Sequence, residues 1–433
     1  MSQALRPSAC PGLLRIVQAL DGGICRIKLN GGSISADQAD AVADAAEGYA
    51  GGVIEATNRA NLQIRGIGSE ETALIESLLA AGLGPRTTAG DDVRNLMLSP
   101  SAGIDRQMLI DTRPLAEQIL ASLQSHERFH ELSAKFAVQL DGGEALAMLE
   151  HHHDLWLSAV EQDGECLLAF GLAGCPTEMP ISAVRLEHGH ALVIAVLELF
   201  LDLARPEQTR MRHLLAEQPM AGFVAQLAER VPLVPITCVP RASSMPPIGA
   251  YPQREPDGFY VGAVPPLGRL DAAMLRGAAK LARLHGDGSL RFTPWQSLLL
   301  PNIQARDAAE VIHNLETLGL RCSVDDALAH LIACTGSAGC GKGLADTKGD
   351  ALQLAALLQR HGQIQSVHLS GCSRSCAAAH VAPVTLLAVS PGHYDLYFRD
   401  AALPGFGALH ARNLTIEAVA TLLDARSRSP LDA

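Results

Sequence analysis

"GGVIEATNRANLQIRGIG", residues 51–68, has a second copy in this chain, "DGSLRFTPWQSLLLPNIQ", residues 287–304. Each runs from Gly through apolar residues to a Thr, then an alternating stretch, then an Ile. Thr57 matches Thr293 and Ile67 matches Ile303, each pair 236 positions apart. A helix-patterned stretch precedes each copy: "SADQADAVADAAEGYA" before the first, "LDAAMLRGAAKLARLHG" before the second. Ahead of each helix lies a glycine-bearing strand pattern, "GICRIKLNGGSIS" and "GFYVGAVPPLGRL". The repeated unit is therefore strand, helix, strand. Stacked solenoid repeats recur every ~20–50 residues, so a period this long predicts two related halves.

The two copies occupy residues 10–75 and 258–308, and each is followed by a longer mixed α/β pattern, 85–235 and 310–425. The join at 236–257, around "VPRASSMPPIGAYPQREPDG", is rich in Pro, Ser and Gly and reads as an exposed linker.

A chain of 433 residues carries two to four domains and a large core. With 48% hydrophobic and 18% charged residues the composition is that of a soluble globular protein. No apolar run approaches the roughly 20 residues that cross a bilayer. The start, "MSQALRPSACPG", has no apolar core of a secretory leader. A net charge of −12 and 4% aromatic residues argue against a nucleic-acid partner, which needs a basic stripe or stacking platforms. They leave room for an anionic ligand, because local arginines decide that.

Four of the ten cysteines gather near the C-terminal end: Cys334 and Cys340 in "CTGSAGCGKG", and Cys372 and Cys376 in "SGCSRSC". The pattern is C-x5-C, 31 residues, C-x3-C, each pair on a Gly- or Ser-bearing loop beside regular structure. Clustered cysteines in a reducing, cytoplasmic setting point to metal or redox chemistry. Structural zinc sites usually space each pair by two to four residues, whereas iron–sulfur clusters accept varied spacings, so the five-residue gap favours a cluster over zinc. Cys10, Cys25, Cys166, Cys175, Cys238 and Cys322 are scattered and read as small core hydrophobes. A rival reading takes Gly336, Gly341 and Lys342 as a phosphate-binding G-x-x-x-x-G-K, making the protein a nucleotide- or metal-binding module. Gly343 stands where that motif needs a hydroxyl, and the motif also demands a buried strand ahead of it.

The cysteine arrangement and the duplication resemble those of the sirohaem-dependent sulfite and nitrite reductases, over nearly the whole chain. "TNRANLQIRGI" is similar to the arginine-bearing strand of the family's first repeat, "DDVRNLMLSP" to its next basic motif, with Arg94, and "LSAKFAVQLDGG" to its lysine motif. "LRFTPWQSLLLPNI" is the degenerate second copy, with Trp295 in the place of Arg59. The resemblance implies an α+β fold of two pseudo-symmetric halves, each a ferredoxin-like half-domain plus an α/β domain, with one working site between them. It implies a [4Fe–4S] cluster on Cys334, Cys340, Cys372 and Cys376. In the reductases the last cysteine also bridges to sirohaem, and two arginines with a lysine pair surround the anion. Lys135 matches the first lysine, but Ala137 replaces the second, and Ser373-Arg374 stand where the reductases have Pro-Asn.

The opening "ACPGLLRIVQALDGGICRIKLNGGSIS" and the chain's length are more similar to a branch of that family acting in aerobic cobalamin synthesis. That branch implies a monooxygenase using O2 to hydroxylate precorrin-3A, with a ring acetate closing to a γ-lactone, an unidentified electron donor, and an additional mononuclear non-haem iron. Sirohaem belongs to the alternative, a nitrite or sulfite reductase. Precorrins carry many carboxylates, which arginine forks bind in pairs. Arg59, Arg65, Arg94, Lys135, Lys342 and Arg374 are the candidate cations. Gln63 and Arg65 alternate with Leu62 and Ile64, as on a strand with one polar face. His151-His152-His153 reads as a surface run, since adjacent side chains point different ways. Glu187, His188 and His190 in "EHGH" are a further thin candidate for iron.

Overall fold

The computed structural model describes residues 10–85, 87–241, 247–358 and 365–427. Most of the opening segment, the centre of the 236–257 join and the tail of "TKGDALQLAALLQRHG" lie outside the described residues.

The first half runs β1 (Val17–Ala19), β2 (Gly22–Ile27), β3 (Ser33–Ser35), α1 (Ala36–Tyr49), β4 (Val53–Ala56), β5 (Leu62–Ile67) and α2 (Glu71–Ala80). A short α3 (Thr88–Val93) leads into β6 (Leu96–Leu98), α4 (Arg113–Ser125), β7 (Val138–Asp141), β8 (Leu155–Gln162), β9 (Glu165–Leu172) and β10 (Ser182–Val184). Helices α5 (Gly189–Leu203), α6 (Met211–Leu215) and α7 (Met220–Ala228) close it. The second half repeats the order: β11 (Gly249–Pro252), β12 (Gly258–Ala263), β13 (Arg269–Leu270), α8 (Ala272–His285), β14 (Ser289–Phe292), β15 (Leu298–Gln304) and α9 (Ala308–Thr317). Then come β16 (Leu331–Ala333), α10 (Thr347–Leu358), β17 (Val367–Ser370), β18 (Val384–Ser390), β19 (His393–Phe398), β20 (Ala408–Leu414) and α11 (Ile416–Ser427).

The strands form four five-stranded sheets. Two belong to the half-domains, β1-β2-β5-β4-β13 and β11-β12-β15-β14-β3. The halves exchange their edge strands: Leu270 of β13 pairs with Ile54, and Ile34 of β3 pairs with Leu290. The sequence pattern did not show this exchange, because each edge strand is only two or three residues long. Helices α1 and α8 pack against each other over one shared core. Ser35 starts α1 with a capping box to Gln38. Its buried face is Ala36, Ala39, Val42, Ala43 and Ala46; that of α8 includes Leu275, Ala278, Ala279 and Ala282. Small side chains on both faces let the axes approach closely. Arg276 and Arg283 of α8 bridge to Asp44, Glu47, Asp37 and Asp40 at the exposed rim, where ion pairs contribute little.

The other two sheets belong to the α/β domains, β10-β9-β8-β7-β6 and β16-β17-β18-β19-β20. In each, the first three strands in chain order are parallel and the last two join antiparallel. Two expectations need correction. The join at 236–257 contains β11, whose Tyr251 pairs with Tyr260, so its tail is an edge strand and not a linker. Strand β5 has no open polar face: Leu62, Gln63, Ile64 and Arg65 are all buried, because the α/β domains cover the outer side of the sheet. No described helix is long and apolar enough to cross a membrane.

Candidate metal centre and cationic pocket

Parallel strands β16 and β17 are neighbours, with Leu331 opposite Val367, so the loops at their C-terminal ends emerge side by side. Those loops carry the four cysteines. Cys334 N–H donates to Leu369 O at 3.3 Å, and Leu344 N–H to Gly371 O at 2.9 Å, stitching one loop to the other. Gly371 N–H donates to the Cys334 sulfur at 3.2 Å. Cys340 N–H reaches Gly336 O at 2.9 Å, in a turn that needs φ +64° at Gly336.

The donor set fits an iron–sulfur cluster. The Cys376 thiol is pushed up, first by its packed surroundings and then by Cys372, Cys334 and Cys340, so the four sulfurs sense one another. Converging thiolates repel unless a cation or protons intervene. A single zinc would hold its sulfurs roughly 3.8 Å apart, from Zn–S bonds of about 2.3 Å. No three of these sulfurs lie within 4.8 Å of one another, wider than one zinc ion would hold them.

The first half carries the same two loops without the sulfurs. Ser99 N–H donates to Leu140 O (3.3 Å), Asp105 N–H to Ser101 O (3.1 Å) and Leu109 N–H to Gly142 O (2.8 Å), bond for bond as in the second half. Ser99, Asp105, Gly143 and Ala147 stand where the cysteines stand. The expectation that no buried strand leads into the phosphate-loop motif does not hold. A buried strand, β16, does precede "CTGSAGCGKG". What excludes that reading is Gly343 and a helix that starts only at Thr347, too late to aim its first N–H groups at a phosphate.

The half-domains clamp this centre. Asn58 and Gln296, in corresponding turns, donate to Cys376 O at 3.3 Å and Ala377 O at 2.9 Å. Leu20 N–H donates to Gly339 O at 3.3 Å. Arg65 puts its fork on Asp21 (2.9 and 2.8 Å), touches Gly339 O at 3.5 Å and faces Glu55 at 3.8 Å. Lys348, buried, donates to Leu267 O (2.6 Å) and Ala333 O (3.2 Å), and burial pulls it to about 8.

The turns bearing Arg59 and Trp295 superimpose in detail. Thr57 and Thr293 receive the N–H of Ala60 and Gln296 (both 3.1 Å), and Ala60 and Gln296 have φ of 54° and 59°. Arg59 is the cation the rest of the site leaves unanswered. Its guanidinium has no hydrogen-bonding carboxylate among the described residues. Burial, then Arg210 and Arg26, pull it to about 10, still charged at neutral pH. Arg26 is likewise lowered by burial and lies within electrostatic reach of Cys376. With the Gln63 amide oxygen turned toward it, Arg26 donates at 2.6 and 2.9 Å. Arg94 is buried and paired with Asp91 at 3.0 Å. Lys28 donates to Asp91 O at 2.5 Å, and Arg210 to Asp154 at 2.8 Å. Lys135, Lys342 and Arg374 are exposed. The mate of this pocket, a cavity of about 510 Å³ lined by Trp295, Gln296, Ala147 and Met148, presents no arginine.

Arg26, Lys28 and Arg210 were missed in the sequence. "CRIK" alternates cations with Cys25 and Ile27, a signal that was available; Arg210 had none. The surface-run reading of the histidines is overturned. His151 and His153 are 1% and 3% exposed and only His152 faces solvent. The loop passes under the second α/β domain, where His151 Nε2 meets His380 Nδ1 at 3.0 Å and His153 Nδ1 meets His151 O at 2.8 Å. In "EHGH", His190 bonds Ser122 at 2.9 Å, and its residues form no close donor group. Of the six scattered cysteines, Cys25, Cys175 and Cys322 are buried, but Cys166 is exposed at the start of β9.

Residues 17–82 and 251–318 match the nitrite/sulfite reductase ferredoxin-like half domain, and 89–233 the nitrite and sulphite reductase 4Fe-4S domain. The second match falls on the α/β copy with Arg94 and Lys135; the cysteines lie in the other copy of the same topology. The chain is 31% identical over 389 residues to the chloroplastic ferredoxin–nitrite reductase of Zea mays, covering 83% of this chain and 68% of that one. For the Arabidopsis thaliana enzyme the figures are 30%, 83% and 66%. It is 27% identical over 402 residues to a precorrin-3B synthase of Sinorhizobium sp, covering 92% and 84%. The solved NirA protein of Mycobacterium tuberculosis shares the fold, with TM-score 0.80 at 21% identity over 95% of this chain and 82% of that one.

Proposed function

This chain belongs to the nitrite and sulfite reductase family of oxidoreductases, and from that premise we propose that it is a tetrapyrrole monooxygenase of the precorrin-3B synthase type. The carrying observation is Arg59, partly buried and without a hydrogen-bonding carboxylate among the described residues, beside Arg26 and the Cys376 loop. Desolvation of a cation that no carboxylate pairs is unfavourable, and an anionic ligand offsets it. A ring bordered by acetates and propionates supplies such anions. Two further facts support the reading. The Sinorhizobium relative is matched over more of both chains than the plant reductases are. Ala137, buried with its N–H on Asp154 at 2.9 Å, replaces a cation that sulfite chemistry would use.

In this reading the four cysteines hold a [4Fe–4S] cluster, which when bound supplies single electrons. Arg59 and Arg26 bind ring carboxylates and fix the macrocycle over the cysteine loops, with Arg94 and Lys28 holding that wall through Asp91. Lys135, Lys342 and Arg374, all exposed, are the further cations this reading draws on for the outer carboxylates. His380 and His151 offer a proton route from the partly exposed side inward. One oxygen atom of O2 enters the ring; the other leaves as water, with two electrons from an external one-electron carrier and two protons. The test is turnover of precorrin-3A under labelled dioxygen. One ¹⁸O per product supports the assignment, and unlabelled product removes it. A sirohaem-dependent nitrite reductase is the second reading, favoured by the 31% identity to the maize enzyme. It requires sirohaem bands in the purified protein and ammonia from nitrite.

A further inference from the structure

We propose that His152, Cys175 and Glu178 form a second metal site, for a borderline divalent first-row cation such as zinc or ferrous iron. The proposal rests on local geometry and stands whether or not the tetrapyrrole reading does. One imidazole nitrogen, one thiol sulfur and one carboxylate oxygen lie within 4.8 Å of one another, and no other three such donors among the described residues do. In a formed tetrahedral site, with bonds of about 2.0–2.3 Å, neighbouring donors stand roughly 3.5 Å apart. Cys175 Sγ and Glu178 Oε1 are already at 3.9 Å. The His152 nitrogen lies within 4.8 Å of both, so a side-chain movement of at most about 1.3 Å, within reach of rotation at an exposed residue, completes the span.

The backbone holds the donors there. His153 N–H donates to Gly174 O (2.8 Å) and Ala173 N–H to Asp154 O (3.0 Å), so the loop after β9 lies against the histidine loop. Glu178 N–H closes a turn onto Cys175 O at 3.0 Å. The Glu178 carboxylate thereby folds over Gly174, where a Cβ would collide with it. Thr177 Oγ1 stands 3.0 Å from Cys175 Sγ, placed to orient the sulfur. Chemistry narrows the ion. A thiolate and a carboxylate together carry two negative charges, which one divalent cation neutralises. Sulfur and imidazole nitrogen select against magnesium and calcium. Cys175 is buried while His152 and Glu178 face solvent, leaving an open coordination position, the form of exchangeable and catalytic sites.

The experiment uses cluster-loaded protein treated with a mild chelator and titrated with cobalt(II), then with zinc(II) as competitor. The expected result is one equivalent bound, with a thiolate-to-cobalt charge-transfer band and visible ligand-field bands in the difference spectrum. Cys175→Ser and His152→Gln each weaken binding by more than the roughly 10-fold that loss of even an outer partner of a ligand costs, with acid-labile sulfide unchanged. His152 is exposed, so its variant keeps the fold even if the Cys175 variant does not. Absence of the thiolate band, or unchanged affinity in His152→Gln, overturns the site.

Discussion

Replacing Gly343 with Ser separates the two readings of "CTGSAGCGKG" in one step, because it completes the phosphate-loop motif. A serine Cβ at 343 would sit 2.5 Å from Gly336 C, 2.6 Å from Ser337 N and 2.9 Å from Gly336 O. All three are backbone atoms, so no side chain can swing away. Restoring ordinary contact, 3.4 Å or more, moves one limb of the Cys334–Cys340 loop by about 0.9 Å. Overpacking of this kind costs roughly 1–3 kcal/mol, or about 5- to 150-fold in the population of the closed loop. Cys340 hangs from that limb through Gly336 O. Gly341→Ala is the matched control, since a Cβ there meets nothing within 4 Å. Iron, acid-labile sulfide and broad visible absorption per chain are measured for both variants. The account predicts sulfide well below wild type in Gly343→Ser and unchanged in Gly341→Ala. Full sulfide in Gly343→Ser, or a new ATP-dependent rise in Tm, would refute the reasoning.

Arg59→Gln removes the unanswered cation; loss of a charge-assisted hydrogen bond of about 1.5–3 kcal/mol predicts tetrapyrrole binding weaker by roughly 10- to 150-fold with cluster content intact. Unchanged binding by fluorescence or absorbance titration would contradict the pocket. Gln296→Ala deletes the 2.9 Å bond to Ala377 O and should cost about 1 kcal/mol and hasten cluster loss in air, read as the rate of visible bleaching. His368, buried in β17, is pulled by burial to about 4, and its Nε2 has no partner. It stays neutral in the fold while the unfolded chain takes up a proton below about 6.5. Its support is therefore complete above pH 6.5 and is lost as pH falls toward 4, at up to about 1.4 kcal/mol per pH unit. His368→Leu should flatten that part of the stability curve in denaturant titrations; an unaltered slope would assign the acid sensitivity elsewhere.

The duplication was legible because Thr57 and Thr293 each close a turn with their own hydroxyl and carbonyl, which fixes both residue type and spacing. The cysteine loops were legible because four sulfurs at fixed offsets leave few other uses. Burial of the polar side of β5 was not, since period-2 alternation describes one sheet and says nothing of what later covers it. Arg65 illustrates the cost. Its position on the strand suggested a ligand cation, yet its fork is filled by Asp21, 44 residues away. The histidine run failed for a related reason: hydrophilic residues in a loop read as surface until a distant partner, His380, is known. Equivalence of Ser99 and Asp105 with Cys334 and Cys340 was hidden because the chemistry changed while only the backbone hydrogen bonds stayed.

The central claim is that Cys334, Cys340, Cys372 and Cys376 share one cluster, and acid-labile sulfide with electron paramagnetic resonance on the same reduced sample tests it most directly. The account predicts four sulfides per chain and a single fast-relaxing half-integer signal, both lost together in Cys340→Ser. Sulfide-free protein, or a Cys340→Ser variant that keeps sulfide and signal at the wild-type level, would contradict it.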